Sequence, residues 1–442
     1  MSEQIEDLMS FLNVSPTAWH AVDALKEQLI AKNFNFLAEG ASWEILPGKS
    51  YFTIKNGSSL CAFIAPEKPP RSVHLAASHT DSPALKLKPA SEFYRDSMVL
   101  WGLEVYGGPL LTSWLNRDLG IAGRVVIQDE KGRLKEKLIR LDSYPCVIPQ
   151  LAIHLDPQVN EIGVVLNKQN HLVALAALQL PDVSKSYLDW LLHQALGEHS
   201  LLGSDLFLFP IEPAAFVGYG QEMIASYRID SLASVHAIWK GLELSADAGE
   251  DCLKMAVFWD NEEVGSSTAQ GAASPFLAHT LERIMISYGK SRKDYFQLLE
   301  NSLCVSVDLA HALHPNYPEK HDPFHRPLLG KGIVLKSNTK QNYASNARTT
   351  AAITHLCQKA HIPLQHFVSR GDMPCGSTIG PIHATKTGMP TVDIGSPQLS
   401  MHGARELMAC EDHLGMIRLI SAFYNDQRSE RILSILTADL ST

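Results

Sequence analysis

The sequence is short of paired cysteine, of excess positive charge and of long apolar runs, and each shortage excludes a class of protein. Its seven cysteines in 442 residues are Cys61, Cys146, Cys252, Cys304, Cys357, Cys375 and Cys410, odd in number, scattered and never spaced C-x-x-C. This argues against a disulfide framework and against a structural zinc knuckle. A formal charge of −9, from 38 Lys+Arg against 47 Asp+Glu, argues against nucleic acid as a partner, because a polyanion needs a broad basic face. The most apolar stretch, residues 171–180, is bounded by Pro181-Asp182. It is about half the ~20 residues that cross a bilayer, so no membrane association is expected. The opening MSEQIEDLMSFLNVS is acidic and lacks the basic and apolar regions of a secretory signal, so the expected location is the cytoplasm. HExxH, the Walker phosphate loop and GxSxG are absent, and Gly218-Tyr219-Gly220 lacks the third glycine of a dinucleotide fingerprint.

What remains is a globular composition, 45% hydrophobic and 19% charged, long enough for two or three domains or one large α/β unit. Nineteen histidines against seven cysteines favour imidazole and carboxylate as ligands. Ser15-Pro16 followed by Ala18, Val22, Leu25 and Leu29 predicts an amphipathic helix over 16–32. Residues 51–54 and 59–64 read as a hairpin across Asn56-Gly57.

Short apolar runs at 73–77, 253–259, 303–307, 365–368 and 392–394 then each end in polar residues. The ends are Ser78-His79-Thr80-Asp81, Asp260-Asn261-Glu262-Glu263, Asp308, Ser369-Arg370-Gly371-Asp372, and Gly395-Ser396-Pro397 leading to His402. Apolar runs without alternation suit strands buried on both faces, so the expected fold is α/β, a mostly parallel central sheet with helices on both faces. Ligands in such folds bind beyond the carboxyl ends of the strands, which puts His79, Glu262, Glu263 and Asp308 on one rim. Residues 91–225 instead alternate Val/Ile-rich pieces with Gly/Pro turns, as in a β-rich domain inserted between 1–90 and 226–442.

Three carboxylates within Asp260–Glu263 repel one another in a confined site unless a cation compensates them. Of Glu262 and Glu263, one would bind metal and the other face the water to be activated. The plainer reading is a helix N-terminus, where acids complement the dipole. His79 and Asp81 are two apart on an extended segment and share a face, so the carboxylate can fix the ring tautomer. A turn histidine beside a capping aspartate is the plainer alternative. His311 and His314 read as neighbours on a helical face one turn after Asp308, with His314 the better candidate for a structural role.

Together, SHTDSP, SYRIDS, DNEEVGSSTAQGA, SVDLAHALHPNYPEKHDP, KQNYASNA, GDMPCGSTIGPI and DIGSPQLSMHGARE occur in this order. That order, with YGGPLLTSWLNRDLGIAGRVV and IPQLAIHL between the first two, resembles the aspartyl aminopeptidase family of zinc metallopeptidases from about residue 10 to 420. The resemblance implies two zinc ions per subunit, or cobalt or manganese in their place. It implies His79 and Asp308 as ligands of one ion, Glu263 and His402 of the other, and Asp230 as the bridging carboxylate. Glu262 is then the general base, Asp81 the group that orients His79, and His154, His311, Lys336 and Tyr343 contact substrate. The insert becomes a dimerisation domain whose His154 reaches a neighbouring subunit's site within a tetrahedral dodecamer. Two positions depart from the family pattern: Ser231 stands where Asn usually follows the bridging aspartate, and Gly107-Gly108-Pro109 has a stiffening proline where another glycine is usual.

The expected activity is removal of single N-terminal residues from peptides. Two ions would hold the amine, polarise the first carbonyl and activate a hydroxide, with Glu262 moving the proton. His311 would stabilise the oxyanion, and Lys336 would select acidic Asp or Glu side chains. The alternatives are the same centre with a neutral or basic preference, and an inactive chamber or cargo protein.

Overall fold

The computed structural model describes residues 3–178, 186–197, 200–245 and 247–426. All five apolar runs become strands of one nine-stranded sheet. Cys252–Trp259, Ser72–His79, Leu303–Val307 and Thr391–Gly395 lie side by side and parallel at its centre. The hairpin Ser50–Lys55 and Ser59–Ile64 extends one side antiparallel, and Ile333–Ser337 joins the other side antiparallel, carrying Leu364–Val368 with it.

Strands Ser72–His79 and Cys252–Trp259 are buried at every position, because both faces are covered. Ala76, Ala256, Phe258 and Val305 turn to a core shared with helices Glu3–Val14, Ile229–Glu243, Ala347–Lys359 and Cys410–Asn425. Leu75, Ala77, Met255 and Val257 turn to the opposite core, under Phe276–Ser287 and Arg292–Glu300. The period of two along each strand therefore feeds two separate apolar layers, with His74, Lys254, Ser306 and Asp393 as buried polar residues inside the strands.

A second sheet of six strands has the order Leu134–Cys146, Leu119–Gln128, Ser200–Pro210, Ala84–Arg95, Met98–Tyr106, Val173–Ala177, with its own core around Trp101, Trp114, Leu119 and Leu208. It begins at Ala84, ahead of residue 91, and residues 215–226 belong elsewhere. Ala215–Val217 and Met223–Ser226 join a third, five-stranded sheet with Glu406–Ala409, Pro397–Leu399 and Ala310–His311. Apolar alternation is the same in either sheet, so the pattern alone did not separate them. Of the apolar stretch 171–180, Val173–Ala177 is a strand of the second sheet, and 179–182 lie outside the described residues. No helix among the described residues is long and apolar enough to cross a membrane.

Two local expectations are corrected. The first is the helix expected over 16–32, which spans Ala18–Ala31 with Thr17, not Ser15, at the N-cap in an extended conformation. Thr17 Oγ1 is 2.8 Å from His20 Nδ1, and the buried Ser15 hydroxyl has no protein partner. The second is the helical face at 308–315. Here the chain forms the short strand Ala310–His311, paired parallel with Pro397–Leu399, because Ala310 N and Ala312 N donate to Ser396 O and Gln398 O. The hairpin is as expected, with Asn56 and Gly57 both at positive φ.

Candidate metal centre

Each candidate ligand leaves a buried strand or a tight turn. His79 is the last residue of its strand, and Glu262 opens a short 3-10 turn three residues beyond Trp259 of the adjacent strand. Asp308 follows Val307, and its amide donates to Ile394 O at 3.0 Å. That contact brings the two backbones so close that a Cβ on Gly395 would lie 1.8 Å from Asp308 O, so only glycine fits there. Asp230 sits in the first turn of helix Ile229–Glu243, after buried Arg228, whose guanidinium donates to the Ser15 and Thr80 carbonyls, and the Asp230–Ser231 peptide bond is cis. His402 follows the strand Pro397–Leu399.

These residues, spread over 324 positions from His79 to His402, form overlapping donor groups: His79, Asp230 and Asp308; His79, Glu262 and Glu263; Asp230, Glu263 and His402. Within each group the ligand atoms lie within 4.8 Å of one another. His79 Nε2 is 3.4 Å from Asp230 Oδ1 and 3.5 Å from Asp308 Oδ1. His402 Nε2 is 3.5 Å from Glu263 Oε2 and 3.8 Å from Asp230 Oδ2. The two oxygens of Asp230 thus face two different imidazoles.

The carboxylate of Asp81 has more partners than the sequence suggested. His79 Nδ1 donates to the Asp81 backbone carbonyl at 3.1 Å, with the carboxylate at 3.4 Å from the same nitrogen. Asp81 Oδ1 and Oδ2 also accept the amides of Glu262 and Glu263, each at 3.1 Å. Tyr106 and Glu406 were missed in the sequence. Tyr106 O–H donates to Asp81 Oδ2 at 2.7 Å, and buried Glu406 accepts the amides of Asp230 (2.9 Å) and His402 (2.8 Å). Both lie inside the motifs YGGPLL and GARE, but nothing in their spacing signals a partner 25 or 176 residues away.

The electrostatics are those of a buried, crowded cluster of carboxylates. Burial pushes the Glu262 carboxyl up to about 8, with the neighbouring aspartates adding to it against the opposing pull of His79. Burial and Asp230 raise Glu263 well above the ordinary carboxylate range, and burial and Asp308 raise Asp230. Burial opposes protonation of His79, yet Asp230, Asp308 and Asp81 outweigh it and raise its pKa well above the usual value. Asp230 Oδ1 is buried and makes no hydrogen bond. An orphaned carboxylate oxygen among imidazoles and further carboxylates is the donor set of a divalent cation such as zinc.

The other expected positions divide. Lys336 is buried, its Nζ 3.4 Å from Asp308 Oδ2 and 5.5 Å from the centre of the Tyr343 ring. His311 borders a recess of about 270 Å³ next to the cluster, shared with His321, Phe367, Arg370 and Gln398. Desolvation and Lys336 lower its pKa to about 4, which keeps its imidazole neutral. His314 is held in a turn, its amide donating to His321 Nε2 and its Nδ1 accepting from Asn316 N. His154 is not brought to the cluster; it lies exposed in a loop of the second sheet, amid exposed Leu151, Ile153, Leu155, Ile162 and Val165.

A parallel-sheet α/β fold with a histidine and carboxylate cluster at the carboxyl ends of its strands defines a metallohydrolase-type centre. The comparisons with known proteins make the class specific. Residues 11–424 match the family model of aminopeptidase I zinc metalloproteases, M18. A probable M18 family aminopeptidase 2 of Ectopseudomonas mendocina is 40% identical over 430 residues, covering 96% of this chain and 98% of that protein. The structure of an Ape4 and Nbr1 complex superposes with a TM-score of 0.92 at 35% identity, covering 97% of this chain and 87% of that one. An S. cerevesiae mApe1 dodecamer superposes with a TM-score of 0.83 at 26% identity, covering 100% and 99%. The chain belongs to the M18 family of zinc metallo-aminopeptidases, hydrolases of peptide bonds.

Proposed function

We propose that this aminopeptidase works through two zinc ions and prefers peptides with an N-terminal Asp or Glu. The observation that carries the two-ion reading is the position of Asp230 in two donor groups, one oxygen toward His79 and the other toward His402. His79 and Asp308 would hold one ion, Glu263 and His402 the other, and Asp230 both. Bound zinc supplies Lewis acidity toward the substrate's amine and carbonyl and lowers the pKa of water. Glu262 takes a proton from the attacking water on its carboxylate and returns it to the leaving amine. The neutral imidazole of His311 donates to the carbonyl oxygen as charge develops there. Lys336 attracts a side-chain carboxylate of the substrate, and Tyr343 packs beneath its ammonium.

The exposed apolar loop around His154 suits burial against a second copy, so the six-stranded unit is the dimerisation domain and His154 serves a neighbouring site. A homo-oligomer like the mApe1 dodecamer follows from that arrangement. Seven free cysteines suit a reducing cytoplasm. The decisive experiment is Glu262→Gln with metal analysis and rates on aspartyl, glutamyl and leucyl substrates. Hydrolysis is expected to be lost with two zincs retained, and the parent enzyme is expected to be fastest on aspartyl or glutamyl substrate. Undiminished turnover in the variant, or one zinc per chain in the parent, contradicts the proposal.

A further inference from the structure

The segment Tyr106-Gly107-Gly108, at the end of the strand Met98–Tyr106 of the second sheet, touches the metal centre. Tyr106 O–H donates to Asp81 Oδ2 at 2.7 Å and accepts from Asn261 Nδ2 at 2.9 Å. Asp81 holds the amides of Glu262 and Glu263, while Asn261 is the left-handed residue that starts their turn. Asn261 is fixed from its other side by Thr268 Oγ1 (2.8 Å) and Gln270 Nε2 (2.9 Å), both donating to Asn261 Oδ1. One hydroxyl therefore ties together both supports of the Glu262-Glu263 turn.

The next two residues press on the same place. Gly107 has φ +68°, and a Cβ there would lie 3.0 Å from Glu263 Cβ, so a side chain would displace the turn. Gly108 O accepts from His402 Nδ1 at 3.1 Å, which leaves His402 Nε2 to face Glu263 and Asp230. The ring of Tyr106 also packs edge-on against Phe207 of the second sheet, with 5.6 Å between ring centres, while its hydroxyl is held separately by Asp81 and Asn261.

We infer that Tyr106 is a positioning residue of the aminopeptidase reaction, holding the Glu262-Glu263 turn and Asp81 in register with His79 from the second sheet. The inference rests on the two-zinc reading with Glu262 as base. It adds that the second sheet aligns this base within its own chain, separately from any contribution of His154 to a neighbour. Hydrogen-bond partners of metal-site residues are commonly worth about 10–100-fold in metal affinity or activity. The hydroxyl is lost and the ring kept in Tyr106→Phe, whereas Phe207→Leu loosens the ring's packing and keeps the hydroxyl.

The experiment measures kcat and KM, melting temperature, and the rate of zinc transfer to a chromogenic chelator in both variants. For Tyr106→Phe, kcat is expected to fall about tenfold or more with KM within about threefold, and zinc transfer to quicken at least severalfold. Phe207→Leu is expected to melt earlier but to keep kcat and zinc transfer near those of the parent. Parental kcat and zinc transfer in Tyr106→Phe would overturn the inference. So would equal losses of kcat in both variants, because packing alone would then account for the effect. An inactive Glu262→Gln protein beside a fully active Tyr106→Phe protein would remove this inference and leave the two-zinc reading standing.

Discussion

Replacing Lys336 by methionine removes a buried ammonium from beside the carboxylate cluster while keeping most of the side chain's volume. Lys336 Nζ lies 3.4 Å from Asp308 Oδ2, with the lysine side chain 2% and the aspartate 13% exposed. At that separation and an effective dielectric of about 20, the attraction is about 5 kcal/mol, and desolvation of the ammonium offsets part of it. Breaking a buried pair from one side typically costs about 3–5 kcal/mol, so the zinc-free variant should be destabilised by about 3 kcal/mol. If the same ammonium also meets the substrate's side chain, a charged hydrogen bond worth about 2–3 kcal/mol is lost with acidic substrates alone. At about 1.4 kcal/mol per factor of ten, that is roughly a 30–150-fold fall in kcat/KM on aspartyl and glutamyl substrates beyond the fall on leucyl substrate. The assay is kcat/KM on the three substrates well below the variant's melting temperature, with melting curves taken in parallel. The same fold-loss on all three would refute the reasoning, since Lys336 would then serve Asp308 and have no part in selecting the substrate.

Removing zinc by chelation should lower the melting temperature reversibly. Zinc in about 100–1,000-fold excess over its dissociation constant stabilises by about 3–4 kcal/mol, and a melting temperature indifferent to zinc would count against the ligand set. The buried pair His236 and His413, with Nδ1 and Nε2 2.9 Å apart and His236 Nε2 3.3 Å from Asp7, should make stability acid-sensitive. Burial lowers both imidazoles below the ordinary histidine value of 6.5, so the unfolded chain binds more protons than the folded one as pH falls through that value. Stability then declines with falling pH, by up to about 1.4 kcal/mol per unit per histidine, and urea titrations of His413→Asn should show a shallower decline. The double variant Leu155→Asp, Ile162→Asp places charge on the exposed loop face and should yield smaller particles in light scattering; an unchanged mass would place the subunit interface elsewhere.

Much of the fold was legible because buried parallel strands carry their own signature. The runs at 73–77 and 253–259 are apolar except at His74 and Lys254 and do not alternate, which suits strands covered on both faces, and both are central strands. The hairpin at Asn56-Gly57 was equally local, since two consecutive positive φ angles suit those two residues. Where the reading failed, a distant partner had decided. Residues 308–315 look helical by spacing, yet strand Pro397–Leu399 offers carbonyls to Ala310 and Ala312 and draws the segment straight. The helix expected from Ser15-Pro16 starts at Ala18, with Thr17 in the extended cap conformation.

The amino-acid sequence by itself determined the chemical inventory: carboxylates and imidazoles at strand ends, an M18 motif order, and a β-rich insertion. Those are properties of residue type and near spacing, which short-range sterics and periodicity express directly. Only the tertiary structure decided that the two oxygens of Asp230 face different imidazoles and that Lys336 lies against Asp308. It alone decided that Tyr106 of the second sheet reaches Asp81 of the first and that His154 stands away from its own chain's cluster. These depend on crossovers that bring residues tens to hundreds of positions apart to within hydrogen-bonding distance. A pattern confined to one strand or turn carries no information about which other strand will lie beside it.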